Sequence, residues 1–346
     1  MNDRLSDTRL QSHLRSFFEE YLSAHRGLSP NTIRSYRDSW VLLFRYGVEQ
    51  RGMGEAGTWR LGVVDRDLVL SYLRDLEKRR KVSITTRNLR LAAIHAFFHY
   101  LVGCFPELEQ QCHPILAIPS KKGRKAIISY LETEELRAVL ESVFLDCPRA
   151  YRDLALLVFA YNTAARVHEV ARARCTDIVT PTGVCPYIRI RGKGDKEREI
   201  PLWAGTQKLL EGYQQHYRPQ ARDTTLFLSV RGTPLTRFQV GRIITHYIRE
   251  ASTKCPSMAK KRLVAHSMRH TTAVHLLQAG VEVNVIRSWL GHASIDTLQC
   301  YLDLDLKAKR EILETLVTPV FTNLLLRRAN QDAQEDIDLL DWLGKL

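Results

Sequence analysis

Residues 187–202 read YIRIRGKGDKEREIPL, and their hydrophobic pattern differs from that of the sequence on either side. The apolar members of this stretch are Tyr187, Ile188, Ile190, Ile200 and Leu202. Between them lies the polar turn Gly192-Lys193-Gly194-Asp195-Lys196, whose glycines let the backbone turn tightly and expose the lysines. Apolar runs on both sides of a glycine-containing turn predict a β-hairpin. A charged hairpin tip is ordinarily only a solvated surface, so the turn alone assigns no function.

Helical periodicity surrounds this hairpin. Apolar residues recur at three- and four-residue steps in residues 133–144 and 151–164 before it, and in 206–217, 236–250, 269–279, 283–290 and 295–301 after it. The hairpin and these helices are therefore predicted to form one domain of mixed α/β structure.

The first hundred residues carry helical patterns with no competing strand signal. The helical spacing begins at Leu10 and returns in residues 64–80 and 85–102. Ser29 fits an N-cap, and Pro30 follows it in the first turn of a helix. Residues 10–105 are predicted to be a helical bundle. Residues 106–126 contain three prolines and little periodicity, so they are predicted to be a linker.

Basic residues are abundant on the polar faces of the bundle and in the linker. The whole chain has 51 Lys and Arg against 38 Asp and Glu, a formal net charge of +13, which favours an anionic partner such as nucleic acid or membrane lipid. The residues expected to follow a DNA phosphate backbone are Arg34, Arg37, Arg87, Arg90, Lys121, Lys122, Arg124 and Lys125.

Composition excludes several other classes of protein. With 45% hydrophobic and 26% charged residues the chain is predicted to be folded and soluble. No stretch approaches the roughly 18 uninterrupted apolar residues of a membrane-spanning helix. The charged N-terminus lacks the apolar run of a secretory signal, so a cytoplasmic, nucleoid-associated protein is expected. Seven cysteines without a C-x-x-C pair fit neither a disulfide framework nor a zinc cluster.

Five short clusters in residues 127–316 hold groups that could act on a phosphate. They are centred on Arg166, on Lys193, on the pair His266 and Arg269, on His292, and on Tyr301. Each alone has an ordinary structural explanation, such as an ion pair, a helix cap or a core aromatic. Together they suit phosphoryl transfer without a metal, because two guanidinium groups can hold the non-bridging oxygens and match the charge of the transition state. A phenol can be the nucleophile if its pKa of about 10 is overcome by a base or by nearby cations.

Three histidines of this region are also candidate zinc ligands. His266, His270 and His275 have helical spacing, but the Glu of an H-E-x-x-H motif is absent and no nearby carboxylate or cysteine completes a ligand set. No metal and no other cofactor is therefore expected.

The order and spacing of the five clusters resemble those of the tyrosine recombinases, the phage-integrase family of site-specific DNA recombinases and tyrosine transposases. The matching motifs are Ala165-Arg166-Val167-His168-Glu169, Gly192-Lys193-Gly194 with Lys196-Glu197-Arg198, His266-x-x-Arg269-His270-Thr271, Leu290-Gly291-His292 and Tyr301. Departures are modest: Ala164 stands where the family often has Gly, His168 where a small residue is common, and Leu298 where a Thr is common.

The resemblance implies a mostly α-helical fold with a small β-sheet or hairpin, arranged as a two-domain C-clamp. Residues 10–105 would be the helical, SAM-like core-binding domain and residues 127–316 the catalytic domain. It also implies roles. Tyr301 would attack the scissile phosphate, Arg166 and Arg269 would hold it with His292, Lys193 would be the general acid, His266 the acid/base, and Glu169 a support behind them.

The family also implies a partner, double-stranded DNA, and a tetramer on two DNA sites, either of identical chains or with a related recombinase. Residues 317–346 combine an apolar cluster with an acidic helix and are predicted to dock on a neighbouring protomer. That acidic tail and the Arg-rich first domain favour a mobile element. Two alternatives stay open: a type IB-like topoisomerase that only relaxes DNA, and a non-cleaving architectural or regulatory DNA-binding protein.

Overall fold

The computed structural model describes residues 10–123, 128–144, 147–182, 185–192, 196–217 and 224–291. The chain divides into two compact units, Met1–Ala126 and Ile127–Leu346.

The first unit is helical throughout its regular structure. Its helices are α1 (Leu10–Ser16), which continues as a π-helix over Phe17–His25, then α2 (Pro30–Arg51), α3 (Arg66–Lys78), α4 (Ile84–Cys104) and α5 (Glu109–Leu116). The predicted cap is confirmed, because the Ser29 side chain accepts a hydrogen bond from the backbone N–H of Thr32 and Pro30 begins α2. The core is aromatic, with Phe17, Trp40 and Phe97 in edge-to-face contact.

Much of the predicted linker, residues 106–126, is helical and packs in the first unit. A 3₁₀ turn over Pro106–Leu108 leads into α5, and Leu108, Cys112, Ile115 and Ile118 are buried in the core of the first unit. Pro114 lies inside α5 and hid the helical spacing of these apolar residues. The prolines therefore end one helix and interrupt another without marking the start of a flexible connection.

In the second unit, one small sheet is surrounded by helices. They are α6 (Thr133–Glu141), α7 (Pro148–Thr163), α8 (Val167–Arg172), α9 (Ala204–Tyr217), α10 (Arg237–Lys254), α11 (Ala265–Gln278) and α12 (Val283–Leu290). The core packs α7 against the sheet and the neighbouring helices, with Leu157, Phe159, Ile188, Ile200 and Phe227 all buried.

The predicted hairpin is confirmed as the centre of that sheet. Strands β2 (Tyr187–Arg191) and β3 (Glu197–Pro201) pair antiparallel, with Ile188 opposite Ile200 and Ile190 opposite Arg198. A two-residue strand, β1 (Ile178–Val179), adds to the other edge of β2 and was not predicted. The described residues thus form a mostly helical fold with one three-stranded sheet, as the sequence indicates.

No helix among the described residues is both long and apolar enough to cross a membrane.

Candidate active site

Arg166 lies in the sharp turn between α7 and α8. Helix α7 ends at Ala164, whose φ of 50° is in the left-handed region, and α8 begins directly after Arg166. Glu169, one turn into α8, accepts a hydrogen bond from the Arg166 backbone N–H at 2.8 Å and another from its guanidinium at 3.1 Å. This turn aims the Arg166 side chain outward from the end of an apolar helix, with 32% of it exposed.

Glu169 is fully buried between two arginines. Its carboxylate also accepts hydrogen bonds from both terminal nitrogens of Arg198, at 3.3 and 2.7 Å. Burial by itself would raise the pKa of the Glu169 carboxyl, but the hydrogen bonds and charge of Arg198, with those of Arg166, lower it to about 2. Glu169 is therefore an anion at neutral pH and fixes the position of both guanidinium groups.

Arg269, on α11, is also buried and is 2% exposed. One terminal nitrogen donates to the Ala164 carbonyl at 2.7 Å and the other to the Leu290 carbonyl. The guanidinium thus joins the turn that carries Arg166 to the C-terminal end of α12. A cation is favourable there, because the last carbonyls of a helix have no partner within the helix.

His266 lies in the first turn of the same helix, where the charges of Arg269, Arg166 and Glu169 act on its imidazole. Burial lowers the pKa of its imidazole, and the charges of Arg269 and Arg166 lower it further, whereas Glu169 opposes them. The neutral form, which can accept a proton, is thus favoured near pH 7. The structure brings together Arg166, Glu169, His266 and Arg269, four of the residues predicted for this site.

The remaining predicted site residues lie outside the described part of the chain; they are Lys193, His292 and Tyr301. Two of them follow directly on described glycines. The Gly192 N–H donates to the Lys196 carbonyl at 2.8 Å and closes the base of the hairpin, and Gly291 ends α12 with φ 62°.

His275, one of the three histidines with the spacing of zinc ligands, is buried. The Tyr161 hydroxyl and His275 Nδ1 are 2.7 Å apart in the core, and burial lowers the pKa of His275 to about 4. Within the described ranges, no three His, Cys, Asp or Glu side chains are grouped so that they could hold a metal ion.

The cations predicted to contact DNA differ in their surroundings. Arg34, Arg37, Lys121 and Lys122 are exposed, although Arg37 pairs with Asp38 and Lys121 with Glu77. Arg90 is half-buried and donates to Ser35 and Ser39. Arg124 and Lys125 lie outside the described residues.

Arg87 requires a correction. Its side chain is 4% exposed, pairs with Glu77 and donates to the Pro119 carbonyl. The guanidinium holds the segment after α5 against α4, so Arg87 does not lie on the exposed polar face where the sequence places it. Helical spacing placed Arg87 among polar residues, but a long-range partner on α3 decides its burial.

Sequence reasoning assigned no role to Arg198, although it lies at the centre of this site. The signal was present in the strand: residues two apart on a strand share a face, so Arg198 lies on the same face as Ile200. A cation on the inward face of a hairpin needs a buried partner. Asn162 was missed as well; it accepts a hydrogen bond from the Trp203 N–H and donates to the Pro201 carbonyl, which fixes the end of β3 on α7.

Two family models match this chain. The phage integrase family matches residues 128–307, and the N-terminal SAM-like domain of phage integrases matches residues 16–103.

Curated proteins with related sequences include y4rC of Sinorhizobium fredii, whose name places it with integrases and recombinases. It is 37% identical over 301 residues, which cover 87% of this chain and 89% of y4rC. A tyrosine recombinase XerD of Staphylococcus aureus is 30% identical over 295 residues, covering 83% of this chain and 94% of XerD. The fold matches that of a lambda integrase tetramer bound to a Holliday junction, with a TM-score of 0.62 at 17% identity over 85% of this chain and 77% of that one. With both family models and these relatives aligned along most of its length, the chain belongs to the phage integrase family and is a tyrosine-type site-specific recombinase.

Proposed function

We propose that this recombinase cleaves and rejoins DNA through a 3′-phosphotyrosyl intermediate on Tyr301, without metal or ATP, as the recombinase of a mobile element. The observation that carries the proposal is the convergence of Arg166, His266 and Arg269 at one place, with Glu169 buried behind them. Two guanidinium groups can bind the phosphate oxygens and stabilise the charge of the transition state, and a neutral imidazole can accept a proton, so these groups can activate a phosphodiester without a metal ion.

The first step exchanges one phosphorus–oxygen bond for another. The Tyr301 oxygen attacks the scissile phosphorus and loses its proton to His266, while the bond to the 5′-oxygen breaks and Lys193 protonates that oxygen. Arg166 and Arg269, with His292, hold the non-bridging oxygens during the attack. The products are a 3′-phosphotyrosyl bond and a free 5′-hydroxyl.

The second step reverses the chemistry with a different strand. The 5′-hydroxyl from the partner duplex loses its proton to Lys193 and attacks the phosphotyrosyl phosphorus, while the Tyr301 oxygen leaves and regains a proton from His266. Since the number of phosphodiester-type bonds is conserved, the exchange needs no external energy source.

The exposed cations of the first unit support a DNA partner. Arg34 and Lys122 lie on the surface, and Arg37 holds only an exposed ion pair with Asp38 that a phosphate can replace at little cost. Lys121 is exposed and pairs with the half-buried Glu77. Exchange between two duplexes requires four strand cuts, and one phenol makes one cut. A tetramer on two DNA sites follows from this count, and the related lambda integrase has been solved as such an assembly on a Holliday junction.

Covalent trapping of DNA tests the proposal. Wild-type protein with a nicked suicide substrate should form a denaturation-resistant protein–DNA adduct, and should do so equally in EDTA. Tyr301→Phe should form no adduct and yet bind the same duplex with nearly unchanged affinity, because one hydroxyl adds nothing to the electrostatic attraction that dominates binding.

Each alternative gives a different result in this assay. A non-cleaving DNA-binding protein would give no adduct with the wild-type chain. A relaxing topoisomerase would give the adduct but no exchange of strands between two duplexes. An adduct with Tyr301→Phe would show that another residue is the nucleophile, and loss of cleavage in EDTA would refute the metal-free mechanism.

A further inference from the structure

We infer that Arg198 is a positioning residue for the reaction: it holds the buried Glu169 carboxylate so that the Arg166 guanidinium faces the scissile phosphate. The inference rests on the proposed function, since it assumes that Arg166 binds that phosphate. It assigns a role to a residue that is almost completely buried.

The contacts of Arg198 join three segments of the site. From β3, its two terminal nitrogens donate to Glu169 on α8, and its Nε donates to the Trp289 carbonyl near the end of α12 at 2.9 Å. Only 9% of the side chain is exposed. All three nitrogens of the guanidinium are thus used by the protein.

The surroundings of the Arg198 side chain are closely packed. The side chain passes close to Gly291, where a Cβ would lie 3.2 Å from Arg198 Cδ and 3.3 Å from one terminal nitrogen. Trp289 is itself held, because its indole N–H donates to the Asn162 carbonyl at 3.0 Å. Arg198 is therefore held at its tip by Trp289 and Glu169, and its side chain lies in space that a glycine at position 291 leaves open.

Glu169 passes this constraint on to Arg166. One carboxylate oxygen accepts from both guanidinium groups, and the other accepts from Arg198 and from the Arg166 backbone N–H. Arg166 makes one side-chain hydrogen bond with Glu169 and keeps a third of its surface exposed, which leaves N–H groups for a phosphate. Without Arg198, Glu169 would have one cationic partner, and Arg166 would be drawn onto it and away from the DNA.

A shift of about 1 Å in a catalytic group can lower the reaction rate by about 10²-fold, and loss of a residue that positions the group can cause such a shift. Arg198→Gln should therefore slow covalent cleavage by roughly 10- to 100-fold while changing DNA affinity less than about 3-fold. Arg198→Lys keeps the charge but cannot reach Glu169 and Trp289 together, so its defect should be smaller. The matched control is Arg189→Gln on β2, because Arg189 pairs with Glu199 on the exposed face of the same hairpin.

A neutral scissile phosphate separates a positioning role from a merely structural one. Each variant is assayed on a normal suicide substrate and on one with a methylphosphonate at the scissile position, and the folded state is followed by thermal unfolding. A methylphosphonate lacks the negative charge, so cleavage depends less on Arg166. The ratio of wild-type to variant rate should fall at least about 10-fold on this substrate for Arg198→Gln, as for Arg166→Ala, and stay near one for Arg189→Gln on both substrates.

Several outcomes would overturn the inference. Covalent cleavage by Arg198→Gln at the wild-type rate would do so. An equal loss of cleavage rate on both substrates would do so as well. If Arg198→Gln does not fold, Arg198→Lys is judged by the same ratio, and loss of the fold in both variants would make Arg198 structural. Normal cleavage by Arg166→Ala is a separate result, because it would refute the proposed role of Arg166 itself.

Discussion

Glu169 carries a full negative charge at a position that water does not reach. A buried carboxylate is ordinarily driven to its neutral form, and two arginines prevent this by donating to both of its oxygens. Removal of one arginine leaves the other to satisfy the whole anion. The position of Arg166, the proposed phosphate ligand, is thus set by Glu169, which is buried behind it.

Ala164 shows how a small departure from the family pattern is tolerated. A left-handed φ costs an L-residue roughly 1–2 kcal/mol, which is why glycine is common at such a position. The Ala164 methyl is fully buried beside Ala273 and Val274, and burial of a methyl group returns about 0.8 kcal/mol. Its carbonyl accepts from Arg269, so the turn that places Arg166 is also fixed by the second arginine.

Cleavage should decline in acid because of His266. Burial and the charges of Arg269 and Arg166 lower its pKa below the usual 6.5, so the proton-accepting form is present at pH 7 and is lost only below pH 6.5. The parameter kcat/KM follows ionisations of the free enzyme. For covalent cleavage it should be flat near neutrality and fall with a midpoint below pH 6.5.

Two variants identify the group responsible. His266→Gln should abolish the acid limb, whereas His270→Gln, which changes the next histidine on α11, should preserve it. DNA affinity measured at each pH separates binding from cleavage. A midpoint above 6.5, or a limb that survives His266→Gln, would contradict the assignment.

At the scale of elements, the first unit depends on a close approach between α2 and the segment after it. The Trp59 ring packs directly on Gly47, and its indole N–H donates to the Gly54 carbonyl at 2.9 Å. A Cβ at Gly47 would lie 2.6 Å from Trp59 Cζ2 and closer still to Cη2. Glycine is needed inside this helix because no side chain fits beneath the indole.

Gly47→Ala should therefore destabilise the first unit by about 1–3 kcal/mol. Gly103→Ala is the matched control, since Gly103 is in helix α4 and a Cβ there meets nothing within 4 Å. That variant should be neutral or up to about 1 kcal/mol more stable, because alanine favours helices. Urea unfolding of the whole chain, followed by hydrogen exchange of first-unit amides, measures both; equal effects of the two substitutions would show that the indole moves aside.

For the whole molecule, the proposed exchange of two duplexes requires four strand cuts and therefore four protomers. The sequence supplies a segment suited to join protomers: Val320, Phe321, Leu324, Leu325 and Leu326 follow Pro319 and precede a stretch rich in acidic residues that is predicted to be helical. This segment lies outside the described residues, and its docking role remains a prediction from the sequence. An apolar cluster of this kind is typical of a protein interface.

Truncation after Thr318 should leave binding to a single DNA site largely intact and abolish both two-site complexes and recombination. Gel mobility with one-site and two-site DNA measures assembly, and product formation measures exchange. A truncated protein that still paired two sites and exchanged strands would show that other surfaces join the protomers.

Local sequence patterns specify most of the secondary-structure elements and identify the family. Period-two apolar residues specified the hairpin, helical spacing and the Ser29 cap specified α2, and the order of five short clusters identified a recombinase. These signals are local, because a strand or helix repeats its pattern within a few residues. They failed where prolines masked α5, whose burial against the first unit decided that it is a helix.

Which charged side chains pair with one another depends on how distant segments pack. Arg87 and Arg198 look alike in sequence, as cations in polar surroundings, yet Glu77 holds Arg87 in the core of the first unit and Glu169 holds Arg198 behind Arg166. Similarly, Arg269 meets the carbonyls of Ala164 and Leu290, which lie 105 and 21 residues away along the chain. The physical reason is that a buried charge is stabilised by whichever partners packing brings within hydrogen-bond distance, and no local pattern encodes a partner that distant.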